Sequence, residues 1–130
     1  MKLGIVVSTW YWEDITSKML ELAVKKAKEH HVETEIVKVP GSHDIPLGAK
    51  RLLKKQDIDG VVTLGAVIQG KTYHDIVIMT ALTKTLHELS LVFEKPVMLG
   101  VNGPRMTWEQ AVERINRAGD VMEACIKWLQ

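Results

Sequence analysis

The chain has one cysteine, Cys125, among 130 residues. That excludes an intrachain disulfide and a thiolate metal cluster, and it suits a reducing compartment. Neither sign of charge dominates: 17 basic and 16 acidic side chains leave a formal net charge of +1. A polybasic face for nucleic acid or for a membrane surface is therefore not expected. The apolar run near the start, Leu3–Val7, is too short for a signal-peptide core or a membrane span. Low-complexity segments and internal repeats are absent. These readings point to a cytoplasmic protein with no nucleic-acid or membrane partner. Aromatic residues are scarce, yet three of the seven stand together as Trp10-Tyr11-Trp12. What the chain does have is apolar content: 46% of its residues, enough for the core of one domain over residues 1–130.

The most informative stretch is Val61 to His74. Val61, Val62, Leu64, Val67 and Ile68 form an apolar run of strand length, as a parallel strand covered on both faces requires. Gly65 and Gly70 interrupt it, and Gly70 leaves room for a sharp turn and a close ligand. Thr72 can cap the helix that follows. The free N–H groups of that helix start favour an anion, and His74 sits in the first turn beside them.

The rest of the chain alternates in the same way. Leu3–Val7 reads as a strand, and Ile15, Met19, Leu22, Ala23 and Ala27 recur at helical spacing. The Trp10–Trp12 loop between them either caps the core or an interface, or offers a flat platform to a planar ligand. Glu33–Val39 is a second strand, nearer a sheet edge. Ser42 is a candidate N-cap and Pro46 suits the first turn of the helix after it. Asp44 there complements the helix dipole and can also accept hydrogen bonds from a hydroxylated ligand. Tyr73–Phe93 is the longest helix, with Ile78, Leu82, Leu86 and Leu89 as its apolar stripe. Pro96–Val101 is a fourth strand, Asn102–Arg105 a loop, and Thr107-Trp108-Glu109-Gln110 a capping box. The final helix carries Gly119 as a possible kink.

Four strand–helix pairs predict an α/β fold: a three-layer αβα sandwich around a four-stranded parallel sheet, with right-handed crossovers. In such sheets ligands bind beyond the carboxyl ends of the strands. Those ends hold the aromatic triplet, Pro40–Asp44, Gln69–His74 and Asn102–Met106.

Gly65-Ala66-Val67-Ile68-Gln69-Gly70-Lys71-Thr72-Tyr73-His74 resembles the signature of the lumazine synthase family. Val39-Pro40-Gly41-Ser42-His43-Asp44-Ile45-Pro46 resembles its second motif. Pro96–Val101 with Glu109-Gln110-Ala111 and Glu113-Arg114 resembles its third. The match spans nearly the whole chain in the right order, and its wording is closer to the archaeal branch.

The resemblance implies a flavodoxin-like domain of the lumazine synthase type. Such a domain joins 5-amino-6-(D-ribitylamino)uracil to 3,4-dihydroxy-2-butanone 4-phosphate in riboflavin biosynthesis, without metal or organic cofactor. It implies His74 as the proton-transfer residue. Gly70, Lys71 and Thr72 would hold the phosphate, and Arg114 would pair with it. Trp10 would stack on the heterocycle, and Asp44, with Ser42 and His43, would meet the ribityl chain. Ala66, Val67, Ile68 and Leu99 would line the pocket. It also implies a homo-oligomer of pentamers, in some members an icosahedral 60-mer capsid, with Leu99 and Arg114 reaching the site from a neighbour. The sequence departs from the family at several places. Phe-Asn is frequent where Trp10-Tyr11 stand, Glu where Asp44 stands, Phe at Leu99 and Arg at Gln69. The basic residue of the last helix has only Arg117 as a counterpart. Two other readings are a riboflavin synthase of the archaeal type and a non-catalytic flavin-binding or shell-forming protein. The intact Gly70-Lys71-Thr72-Tyr73-His74 motif weighs against the first, and retention of His74 and Arg114 against the second.

Overall fold

The computed structural model describes residues 1–130. Its elements are β1 (Lys2–Ser8), α1 (Ser17–Glu29), β2 (Glu33–Val39), α2 (Ile45–Leu53), β3 (Gly60–Ile68), α3 (His74–Phe93), β4 (Val97–Met106), α4 (Trp108–Glu113) and α5 (Arg117–Leu129). All strand pairs are parallel, in the order β2-β1-β3-β4. The alternation of strand and helix thus yields the expected sandwich, and β2 lies at an edge.

Burial explains which strands are central. In β3 every residue from Gly60 to Val67 is buried, as strands covered on both faces must be. Their side chains divide by the two-residue period of a strand. Leu3, Ile5, Val7, Val62, Leu64 and Ala66 pack against Met19, Ala23, Met122 and Ile126 of α1 and α5. Val6, Val61 and Val67 pack against Ala49, Leu52, Met79, Leu82 and Leu86 of α2 and α3.

Local structure differs from the sequence reading at several places. Gly65 does not interrupt β3; the strand runs through it. A Cβ at Gly70 would meet open space and its φ is not positive, so the turn there does not demand glycine. Asn102–Arg105 is not a free loop but part of β4, which bulges there. Ala66 pairs with Asn102 and Ile68 with Met106, so β4 spends four steps where β3 spends two. Gly103, at φ 152°, and Arg105, at φ 56°, absorb the turn. The final helix breaks at Arg114–Asn116 rather than at Gly119, which is buried inside α5 against α1. Finally, α1 is preceded by one wide π turn, Trp12–Thr16, entered through Tyr11 in the left-handed region.

The capping box at Thr107 forms as expected. The Thr107 Oγ1 accepts the Gln110 N–H at 3.2 Å, and the Gln110 Oε1 accepts the Thr107 N–H at 2.9 Å.

Candidate active site

The chain folds one way from β1 to β2 and the other way from β2 through α2 to β3. Such a switch leaves a crevice at the carboxyl ends of β1 and β3, where neither crossover covers the strand tips. A cleft of about 210 Å³ lies there. Trp10, Tyr11, Gly41, Ser42, His43, Ala66, Val67, Ile68, His74 and Ile78 line it. Seven of the residues expected at a site, Trp10, Ser42, His43, Ala66, Val67, Ile68 and His74, are thus brought together.

The aromatic triplet splits by role. Tyr11 stands edge-on to Trp108 of α4, ring centres 5.3 Å apart, and edge-on to Trp10 at 6.1 Å. Trp12 packs against the core, with the Lys38 Nζ 4.5 Å above its ring. Only Trp10 projects outward, 63% exposed at the rim of the cleft. Its one aromatic neighbour is Tyr11, and most of the indole stays open to solvent at the mouth of the cleft.

Ser42 is not the helix cap the sequence suggested. It lies in a short 3₁₀ turn, Ser42–Asp44, before α2. Its hydroxyl is buried and has no hydrogen-bond partner in the protein. A buried hydroxyl left unpaired costs free energy unless something pairs with it. Ser42 borders the cleft, but its Oγ is packed against β3 where Gly65 leaves room for it; a Cβ at Gly65 would come within 2.9 Å of that oxygen. Asp44 is exposed, and its Oδ2 accepts the Gly41 N–H at 3.0 Å, which fixes the turn that carries Ser42 and His43.

The loop from Gly70 to Tyr73 is exposed, and its four N–H groups donate to no protein acceptor. The Thr72 Oγ1 accepts the His74 N–H at 3.2 Å in a tight turn just ahead of α3, so the cap position falls on Tyr73 and not on Thr72 as the sequence suggested. The Lys71 side chain stands free in solvent beside this row. An unpaired run of N–H groups next to a helix start and a lysine is a place for an anion. His74 closes the row and lines the cleft.

Asp44, Lys71, Thr72, Leu99 and Arg114 do not line the cleft of their own chain. Leu99 is exposed on the outer edge of β4, and Arg114 is exposed at the end of α4. Arg117 is exposed at the start of α5. Two features escaped the sequence reading. Ile78 lines the cleft because it follows His74 by one helical turn. The Asp75 carboxylate is buried beside His74 and joined to Arg105. An acid in the first helical turn is legible from sequence, but a partner thirty residues away is not.

Residues 1–130 match the family described as 6,7-dimethyl-8-ribityllumazine synthase. Among curated relatives, the 6,7-dimethyl-8-ribityllumazine synthase of Metallosphaera sedula is 53% identical over 116 residues, covering 88% of this chain and 76% of the relative. That of Picrophilus torridus is 44% identical over 131 residues, spanning all of this chain and 96% of the relative. That of Saccharolobus solfataricus is 48% identical over 132 residues, spanning all of this chain and 85% of the relative.

Proposed function

The chain belongs to the 6,7-dimethyl-8-ribityllumazine synthase family, and from that premise we propose that its cleft is one chain's share of an active site completed by a neighbour. The protein is an enzyme of riboflavin biosynthesis. It condenses 5-amino-6-(D-ribitylamino)uracil with 3,4-dihydroxy-2-butanone 4-phosphate and releases phosphate and water. The observation that carries the division of labour is the convergence of Trp10, Ser42 and His74 on one cleft, with the free N–H row of Gly70–Tyr73 running up to it.

In this reading the heterocycle stacks on Trp10 between Ala66, Val67 and Ile68. Ser42 and His43 border the ribityl chain. Asp44 acts mainly by holding the Ser42–His43 turn, with its other oxygen, Oδ1, left for the sugar chain. The N–H groups of Gly70–Tyr73 and the Lys71 ammonium hold the phosphate. The amine condenses with the ketone to give an imine and one water, elimination releases phosphate, and the second amine closes the ring on the resulting carbonyl with loss of a second water. His74 moves protons in these steps, as an imidazole can near neutral pH.

A cleft of about 210 Å³ is small beside the ~300–1,000 Å³ of typical small-molecule sites. The outer face of α3 carries exposed Val77, Leu91 and Val92, and Leu99 and Trp128 are exposed as well. This helix is long and apolar enough in composition to cross a membrane. In a water-soluble assembly such a face needs cover. Both facts support pentamers, or multiples of five up to a 60-mer capsid, in which Leu99 and Arg114 of one chain close the cleft of the next. A cytoplasmic location and a single working domain over residues 1–130 complete the reading.

The test is incubation with both substrates, following lumazine absorbance and fluorescence together with phosphate release. Equal appearance of lumazine and phosphate is expected. Conversion of lumazine to riboflavin, with no condensation, would assign the cleft to a dismutating synthase instead.

A further inference from the structure

Beside His74 stands a carboxylate that the reaction as described does not use. Asp75 is the second residue of α3 and is only 1% exposed. Its Oδ2 accepts the backbone N–H of Arg105 at 2.7 Å, and the Arg105 Nη1 approaches its Oδ1 at 3.4 Å. The Arg105 N–H is the foremost of the contacts that hold this carboxyl below the usual range, against the opposing effect of burial. A full negative charge is therefore kept at the start of the helix.

The partner is held in an uncommon conformation. Arg105 adopts φ 56° within the β4 bulge, a region few residues with side chains occupy. Such a conformation persists only where its surroundings over-determine it. What this one achieves is to aim the Arg105 N–H at Asp75. The next residue of β4 does the corresponding thing at the other end of the loop: the Met106 carbonyl accepts the Gln69 N–H at 2.8 Å. Gly70 to His74 is exposed throughout. It is anchored to β4 at Gln69 and at Asp75, by two consecutive residues of the bulge.

We propose that Asp75 and Arg105 are positioning residues that clamp the start of α3 to the β4 bulge, fixing His74 and the N–H groups of Gly70–Tyr73 against the floor of the cleft. This rests on the role given to His74 and that loop above. The contribution comes chiefly from the carboxylate and the Arg105 backbone. The guanidinium is half in solvent, where an ion pair adds little.

The experiment compares Asp75→Asn, Arg105→Val, Arg105→Gly and His74→Ala as complete assemblies, each checked by sedimentation mass. Asp75→Asn keeps the shape of the side chain and removes its charge. It is expected to lower kcat/KM for 3,4-dihydroxy-2-butanone 4-phosphate by ~10–100-fold, the scale of an ångström-sized misplacement. The loss should appear mostly in KM for that substrate, with KM for the ribitylaminouracil nearly unchanged. A role in folding alone would not separate the two substrates. Arg105→Val and Arg105→Gly both lack the guanidinium, but valine resists the left-handed backbone that glycine accepts. Val is therefore expected to lose roughly tenfold more than Gly in the same constant. This pair decides the matter even if Asp75→Asn does not assemble. Native constants in Asp75→Asn, or equal losses in the two Arg105 variants, would overturn the clamp while a slow His74→Ala left the reaction reading intact. Native turnover in His74→Ala would remove the reading of the site and the clamp with it.

Discussion

Trp10 separates ligand binding from packing, because the structure gives it little to do in the folded chain alone. It is 63% exposed, and its one aromatic neighbour is Tyr11, the two rings near perpendicular with centres 6.1 Å apart. Truncation to alanine removes little buried area, so the stability of the assembled protein should change by no more than ~0.5 kcal/mol, as at ordinary surface positions. A heterocycle stacked on the indole face should lose much more. Base–aromatic stacking contributes ~1–3 kcal/mol per ring. At ~1.4 kcal/mol per tenfold, that is roughly 5- to 140-fold in Kd. Trp10→Phe keeps a smaller flat face and should recover most of the loss. The assay is fluorescence titration with lumazine or riboflavin, paired with thermal melting of each variant. If Trp10→Ala binds as tightly as the unmutated protein, the indole is not the stacking platform. If it melts several degrees lower with unchanged binding, Trp10 belongs to packing between chains.

Other expectations follow from the same geometry. His74→Ala should slow turnover by ~10²–10⁴-fold, as loss of a proton-transfer group does, without changing the sedimentation mass; the uncatalysed condensation sets a floor to the measured factor. Because Arg114 lies outside its own chain's cleft, His74→Ala and Arg114→Ala should complement each other when co-expressed. Random mixing in a head-to-tail ring rebuilds about a quarter of the sites, and co-assembly without any return of activity would place both residues in one chain's site or remove Arg114 from it. Sedimentation at micromolar concentration should give a multiple of five chains, and the mass of one chain would refute the shared site. Asp75 should also mark the acid side of stability. Its folded carboxyl titrates below its unfolded value, held there first by the Arg105 N–H. The stability it adds is therefore complete above the ordinary carboxylate range near ~3.9 and fades as pH falls through the depressed value. The melting gap between the unmutated protein and Asp75→Asn should narrow from about pH 7 to about pH 3, and a constant gap would mean that Asp75 is not charged in the fold.

The sequence by itself determined the architecture of this protein. Strand and helix leave different periods in the apolar residues. The fully buried run of β3 and the stripe of α3 could each be read without knowing what covers them. The motif around Gly65–His74 located one wall of the cleft for a similar reason: strand tip, loop and helix start are contiguous in the chain, so their juxtaposition is local. The capping box at Thr107 was equally legible, since its two hydrogen bonds span three residues. Tertiary structure decided whatever depends on residues far apart in sequence. Ser42 reads as a helix cap from its neighbours alone, and only the approach of β3 at Gly65 makes it a buried, unpaired hydroxyl at the edge of the cleft. Asn102–Arg105 reads as a loop because glycine and proline break ordinary strands. Pairing with β3 keeps its flanks in the sheet and throws the middle outward as a bulge. Which member of the aromatic triplet faces solvent was settled by distant partners: Tyr11 packs against Trp108, and the Lys38 ammonium lies over the Trp12 ring. Asp75 finds Arg105 only because β4 lies beside β3 and its bulge reaches the start of α3. Local patterns bias the backbone of each segment, but a side chain's partner is chosen by the packing of segments that the chain brings together last.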